Sequence, residues 1–382
     1  MSDPDKSKNI LLLGLVSLLN DISSEIIQPV LPMFIAALGG SSVAIGLIGG
    51  ISDGLPSLIK LFAGCWSDRA GKRKPLVVGG YGLSALAKLM LAFSATWQQV
   101  FLLKTVERSG KGIRSAPRDA MISESVVESR RGRGFGLHRS MDSAGAVLGS
   151  IMAYLLWEGG LDYRSILLVA GVLSVLTLIP FYKVRESYAS PCSGQALRLS
   201  GLSPQLRKFL AISVLFSLGN FSYMFFILRA QSFFFGREAV TLSMLLYVLF
   251  NLVYAGLAMP VGIWSDRIGR KTVLTIGYAL FALTALGFAF VAALFWLAVL
   301  FALYGLVFAL VDASERAFVS DLSDAQLRGS SLGVYYGLVG VAAILSSLIA
   351  GGLWELYGPQ WTFVFGAVAA AMAAIALRGM RT

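Results

Sequence analysis

Apolar blocks of about 20 residues recur from one end of this 382-residue chain to the other, and that is the length of α-helix that crosses a hydrocarbon core of about 30 Å. Inside a bilayer the backbone must satisfy its own hydrogen bonds, so only helices or closed barrels span it. The blocks here are continuous rather than alternating, which selects helices. Hydrophobic residues make up 56% of the chain and charged ones 14%, too little charge to cover a soluble core. No stretch is left over for a soluble domain.

The blocks read as twelve spans, at roughly 9–36, 42–66, 75–96, 98–123, 133–157, 164–183, 208–231, 239–264, 272–294, 296–322, 329–353 and 361–378. The opening residues MSDPDKSKN lack a cleavable signal pattern, so the first helix is expected to stay in the mature protein. The formal charge of +11 is unevenly placed. Lys6, Lys8, Arg69, Lys72, Arg73, Lys74, Arg130, Arg131, Arg133, Lys183, Arg185, Arg267, Arg270, Lys271, Arg328 and Arg378 fall in the tails and even-to-odd loops, while the opposite loops hold little beyond Arg164 and Arg237. The bias puts both termini in the cytoplasm. It also accounts for the basic balance through anionic lipid headgroups, with no nucleic acid. Two cysteines, Cys65 and Cys192, exclude a disulfide framework, and both are expected as thiols on the cytoplasmic side. The single histidine, His138, excludes a histidine-based metal cluster, and neither a metal nor a cofactor is expected.

Ser187, Ser190, Pro191, Ser193 and Gly194 mark 184–207 as a cytoplasmic linker between six-helix halves at 1–183 and 208–382. The halves resemble each other. Gly64-Cys65-Trp66-Ser67-Asp68-Arg69-Ala70-Gly71-Lys72-Arg73-Lys74 returns as Gly262-Ile263-Trp264-Ser265-Asp266-Arg267-Ile268-Gly269-Arg270-Lys271, followed by Gly80-Tyr81 and Gly277-Tyr278. Arg131-Gly132 and Gly136 match Arg328-Gly329 and Gly333, and Arg118 matches Arg316, at nearly the same offset. Duplication into two parallel six-helix repeats explains this. The expected fold is therefore an all-α polytopic membrane protein, with 12 transmembrane helices in two pseudo-symmetric bundles.

Each charge within a span costs several kcal/mol in hydrocarbon and asks for a partner or a function. Span 1 carries Asn20, Asp21 and Glu25, with Asp21 and Glu25 one turn apart on one face. Two such carboxylates disfavour double ionisation, which suits a proton carrier. Pro29 and Pro32 are expected to interrupt that helix. Span 2 adds Asp53 and Lys60, and span 3 adds Lys88. On span 4, Lys104, Glu107, Arg108, Lys111, Arg114 and Arg118 step at three and four residues, a stripe that cannot face lipid. Span 5 adds His138, Arg139 and Asp142, where the second half has Tyr335, Tyr336 and Val339. The second half keeps Asn220, Asn251, Asp312, Glu315 and Arg316. At about 1.5 Å per residue, Asp21, Glu25, Asp53, Arg108, Lys111 and Asp142 come close to one level, where a midplane site would lie. The bland alternative is a set of salt bridges that holds the first half together. A purely structural network should be mirrored in the second half, and it is not.

The paired loops resemble those of the major facilitator superfamily, whose signature G-x-x-x-D-R-x-G-R-[KR] is met at 64–73 with Lys72 for the Arg and at 262–271 in full. The resemblance covers the whole chain. It implies two six-helix bundles around a central cavity that opens alternately to either side, in a secondary transporter that is commonly a monomer. It also implies a cytoplasmic latch formed by Gly64, Asp68, Arg69, Gly71, Asp119, Gly262, Asp266, Arg267 and Gly269. Asp68 would meet the start of span 11 near Gly329, Asp266 the start of span 5 near Gly132, and Arg69 would pair with Asp119. Arg108-Ser109-Gly110-Lys111-Gly112 resembles the family's R-x-x-Q-G, linked to proton coupling in antiporting relatives, with Lys111 replacing the Gln. Gly145-Ala146-Val147-Leu148-Gly149-Ser150 half resembles the antiporter pattern G-P-x-x-G-G without its proline.

The expected site comprises Asp21, Glu25, Asp53, Glu107, Arg108, Lys111, Arg118, His138, Asp142, Asn220 and Asp312, serving a small-molecule substrate and protons in an inner membrane. The bases of span 4 favour an anionic substrate; the acids of span 1 and the drug-exporter resemblance favour an amphipathic or cationic one. No G-x-x-x-x-G-K-[ST] motif is present to couple ATP, and the His–Glu metal and Gly-x-Ser-x-Gly motifs of an intramembrane enzyme are missing. A non-transporting receptor would not need two copies of the loop.

Overall fold

A computed structural model describes residues 3–125, 131–186, 202–291, 293–324 and 327–380, without the side chains of 3–8, Cys65, Asp68, Ala70 and 131–135. Most of the linker, with Cys192, lies outside these residues. The helices are α1 (Asp3–Ala37), α2 (Ser42–Ala70), α3 (Lys74–Leu91), α4 (Trp97–Glu124), α5 (Arg131–Glu158), α6 (Tyr163–Leu176), α7 (Pro204–Gly219), α8 (Met224–Gln231), α9 (Gly236–Ile268), α10 (Arg270–Phe290), α11 (Leu294–Asp321), α12 (Arg328–Tyr357) and α13 (Pro359–Gly379). Helices α7 and α8 are two pieces of the seventh span, so thirteen helices make twelve spans. By length and composition nine stretches of the described residues qualify as membrane-crossing, the α7–α8 stretch counting as one. Helices α3, α4 and α5 fall outside that set, and α4 and α5 hold the charges just described.

Local signals set the helix ends. Thr96, Asp162 and Ser203 each accept a hydrogen bond from the backbone N–H three residues on, starting α4, α6 and α7, as N-caps do. Gly71 and Gly269 take φ of +68° and +92°, so the glycine shared by the two signature loops supplies a left-handed turn that a side chain would strain. Helix α1 runs unbroken through Pro29 and Pro32, contrary to the expected interruption. The two prolines remove only the bonds to the carbonyls of Glu25 and Gln28, and packing of α1 on α5 and α6 holds the rest of the helix. The seventh span does break, at Asn220–Tyr223, where Asn220 leaves helical geometry with φ −92° and ψ 75°.

The chain divides into two compact units: residues 1–39 with 55–194, and residues 40–54 with 195–382. The N-terminal stretch of α2 thus groups with the second unit, which a division at the linker does not anticipate. Within the first unit α1 packs on α5 and α6, and α3 on α4 and α6. Within the second, α7 packs on α12 and α13, and α10 on α11 and α13. The pairings correspond one for one, as the sequence repeat requires.

Candidate functional site

In the first unit the stripe on α4 resolves into three groups. Nearest the N-terminus of α4, Glu107 is 1% exposed, accepts from Lys104 Nζ at 2.7 Å and forms an ion pair with Arg108 Nε at 3.2 Å. One acid between two bases makes a buried knot on α4. In the middle, Arg114 donates to Ser84 Oγ at 2.5 Å and lies 4.2 Å over the Tyr81 ring. Helices α3 and α4 come this close because Gly80 faces Gly110, where a Cβ on Gly80 would lie 2.7 Å from the Gly110 carbonyl oxygen. Nearest the C-terminus of α4, Arg118 bonds Asp119 at 3.0 Å and Ser17 Oγ at 3.1 Å, and Lys60 lies 3.5 Å from Asp119. Asp119 therefore pairs with Arg118 and Lys60, where the family resemblance had pointed to Arg69. Arg118 is its sequence neighbour, and the α2–α4 crossing at Gly112 against Ile59 and Pro56 brings Lys60 over it.

A second constellation forms where α1 crosses α5. A Cβ on Gly145 would meet Asp21 Cβ at 3.0 Å, and one on Gly149 would meet Glu25 Cβ at 2.7 Å. Small residues four apart thus let the two backbones approach, and both carboxylates of α1 lie over that seam. Asp142 on α5 pairs with His138 Nδ1 at 3.3 Å, one turn away. Asp21 has Asp142, Lys111, Arg118 and Glu25 as its charged neighbours. Two acids and two bases from three helices therefore act electrostatically on one carboxyl. Lys111 is exposed and makes no ion pair among the described residues.

The second unit is built differently. Asp312 accepts from Arg316 at 2.7 Å and from the Tyr254 hydroxyl at 3.1 Å. Glu315, buried and absent from the expected site, accepts from the hydroxyls of Tyr278 and Tyr335, the latter at 2.5 Å. Around these runs an aromatic core: Phe216 stacks on Tyr278 at 3.9 Å, Phe226 on Tyr304 at 4.1 Å, and Phe250 lies 5.0 Å from Tyr304. Asn220 sits at the break in the seventh span with its side-chain oxygen buried and without a partner among the described residues. Asp53 is exposed and has Tyr304 as a neighbour. Asp53, Asn220 and Asp312 thus belong to the second unit.

The loop residues divide as well. Asp266 and Asp321 both pair with Arg270, at 3.3 and 2.8 Å. Arg69 and Arg267 are exposed, and the Asp68 side chain lies outside the described residues. A Cβ on Gly262 would meet nothing within 4 Å, and one on Gly64 only Ala116 at 3.6 Å, so sterics does not require glycine at either. Arg73 binds Glu124 at 2.9 Å, and Glu186 accepts from the backbone of both Arg73 and Lys74. These bases anchor the start of the linker to the first unit, a role that charge bias alone does not reveal. Arg229 also escaped notice. It is 7% exposed and donates to the carbonyls of Phe288 and Ala289 at 2.9 Å, closing the C-terminus of α10. A lone arginine inside an apolar block was the available signal. No group of three or more histidine, cysteine, aspartate or glutamate side chains is placed to hold a metal among the described residues.

Comparisons with known proteins agree with this architecture. The family model described as the Major Facilitator Superfamily matches residues 13–243 and 235–381. The chain is 44% identical to the uncharacterised MFS-type transporter MJ1317 of Methanocaldococcus jannaschii, over 98% of this chain and 96% of that one. It is 24% identical to the multidrug resistance protein MdtH of Escherichia coli O1:K1, over 87% and 81%. The crystal structure of the nucleoside transporter NupG superposes with a TM-score of 0.80 at 17% identity, over 97% of this chain and 98% of that one, a likeness of fold.

Proposed function

The chain belongs to the Major Facilitator Superfamily, and on that premise we propose that it exports an amphipathic compound by proton-coupled alternating access across an inner membrane, with both termini in the cytoplasm. The observation that carries this reading is the surrounding of Asp21 by Asp142, Lys111, Arg118 and Glu25 at the α1–α5 seam. A carboxyl there takes a proton on one side, releases it on the other, and redistributes its neighbours' pairings in between. The aromatic second unit supplies apolar contacts suited to an amphipathic substrate. The similarity to MdtH supports export over import, and the lysine and arginine bias supports the orientation. Asp68 and Asp266 act in this reading as the gating acids of the two loops.

A second reading, transport of a small organic anion, draws on one feature. Lys111 acts electrostatically on Asp21 yet is exposed and without an ion pair among the described residues, whereas Lys104, Arg108, Arg118 and Lys60 are matched by Glu107 and Asp119. Currents recorded from proteoliposomes on a solid-supported membrane, with matched panels of lipophilic cations and organic anions, separate the two. Export of amphipathic cations predicts cation-evoked currents that Asp21→Asn abolishes. Anion-evoked currents that Lys111→Gln abolishes would establish the second reading. Silence with both panels at several pH values, in correctly oriented protein, would sink coupled transport.

A further inference from the structure

Lys88 is 0% exposed in the last turn of α3, and the function proposed above makes no use of it. Its Nζ lies 3.3 Å from the Asn20 carbonyl oxygen, 3.2 Å from Asn20 Oδ1, 3.3 Å from Ser23 Oγ and 2.8 Å from Ser24 Oγ. All four oxygens belong to α1, and all four can only accept here. The Ser23 hydroxyl is donated to the Ala170 carbonyl at 2.7 Å and the Ser24 hydroxyl to the Asn20 carbonyl at 3.0 Å. A neutral amine would turn its lone pair toward groups with no hydrogen to offer, so this cage fits an ammonium.

The consequence reaches Asp21 through one side chain. An ammonium donates and never accepts, so the Asn20 amide must turn its Oδ1 to Lys88. Its Nδ2 then faces the other way, where it donates to Asp21 Oδ1 at 3.2 Å. Asn20 is itself 2% exposed, so no water competes for either end of the amide. We infer that Lys88 and Asn20 form a positioning relay for Asp21, in which the buried ammonium locks the amide and the amide reserves Asp21 Oδ1 as an acceptor, leaving Oδ2 to carry the proton. Lys88 is thus linked to the carboxyl across an amide instead of by a direct salt bridge. This rests on Asp21 being the proton carrier.

The groups that bear on the relay can be named from every side. Asp142 on α5, Lys111 and Arg118 on α4 and Glu25 on α1 face Asp21. Glu107, Lys104 and Arg114 on α4 and Asp21 itself face Lys88. Loss of the Asn20 amide removes a donor that favours the carboxylate, loss of Lys88 removes a nearby positive charge and unlocks that donor, and neither substitutes any of these other groups.

The test needs no substrate. Infrared difference spectra of the full-length protein in liposomes are recorded as pH is varied, and the carboxylic C=O band missing from Asp21→Asn is assigned to Asp21. Lys88→Met and Asn20→Leu should move that band's midpoint to more alkaline pH by about one unit, a tenfold change in proton affinity. Ser24→Ala, which trims the cage and spares the relay, should leave it in place. If Lys88→Met does not fold, Asn20→Ala carries the test, because it cuts the relay while Ser23 and Ser24 still hold Lys88. An unmoved midpoint in folded relay variants, or an equal shift in Ser24→Ala, overturns the relay and leaves Asp21 as proton carrier. Failure of Asp21→Asn to remove any titrating band overturns the proton-carrier reading itself.

Discussion

The first unit stores its polarity as charge and the second as aromatic rings, although the same helix pairings build both. At the offset that aligns Arg118 with Arg316, Glu107 corresponds to Gly305. Glu107 is clasped by Lys104 and Arg108, whereas Gly305 admits a close crossing in which a Cβ would lie 2.7 Å from the Phe250 carbonyl oxygen. Tyr81 and Tyr278 follow matched glycines, yet Tyr81 lies under Arg114 and Tyr278 donates to Glu315. One backbone plan thus carries buried ion pairs in one unit and packed aromatic rings in the other. A duplicated fold can keep its crossings and assign different work to its halves.

The comparison can be broken most forcefully at Glu107. Glu107→Gln removes the acid that the buried Lys104 and Arg108 clasp, and removing one partner of a buried pair costs about 3–5 kcal/mol. Thermal unfolding in detergent should register that loss; a change below about 1 kcal/mol would mean the knot is solvated. The crossings test what the halves share. Gly149→Ala and Gly305→Ala should each cost about 1–3 kcal/mol through overpacking, while Gly352→Ala, with nothing within 4 Å of its Cβ, should stay within about 0.5 kcal/mol. Unequal losses at 149 and 305 would show that the shared plan is not equally tight in both units.

The smallest effect belongs to the loop before α6. Donors of Ser165, its hydroxyl first and its backbone N–H second, hold the Asp162 carboxyl below its ordinary range. A lowered value means that the stabilisation is present above about pH 4, the unfolded value, and is lost as pH falls through the folded one. Asp162→Ala should therefore cost about 0.5–1 kcal/mol at neutral pH, and its melting difference from wild type should narrow below about pH 4. A constant difference across that window would assign the loss to packing.

Much of this architecture is legible without coordinates. The apolar blocks give twelve spans, the paired loops give the repeat, and the stripe on α4 follows from steps of three and four residues. Pairing is another matter. Whether Asp119 meets Arg69 or Lys60 depends on the α2–α4 crossing, which Gly112 permits but does not announce. The capture of Lys88 requires Asn20, Ser23 and Ser24 to turn toward α3, and no spacing along the chain encodes that. The prolines of α1 mislead because a continuous helix tolerates two lost bonds when its neighbours hold it. Gly219-Asn220 conversely marks a real break inside an otherwise apolar block. Sequence thus conveys which groups are costly to bury, and tertiary packing decides which of them neutralise one another.

The central claim is that the proton acts in the first unit, and substrate-free charge displacement tests it most directly. Proteoliposomes on a solid-supported membrane are given a pH step, and wild type is compared with Asp21→Asn and Glu315→Gln. The transient current should vanish in Asp21→Asn and persist in Glu315→Gln, whose carboxyl is held by Tyr278 and Tyr335. Loss of the current in Glu315→Gln with its survival in Asp21→Asn would place the titrating group in the second unit and contradict the account.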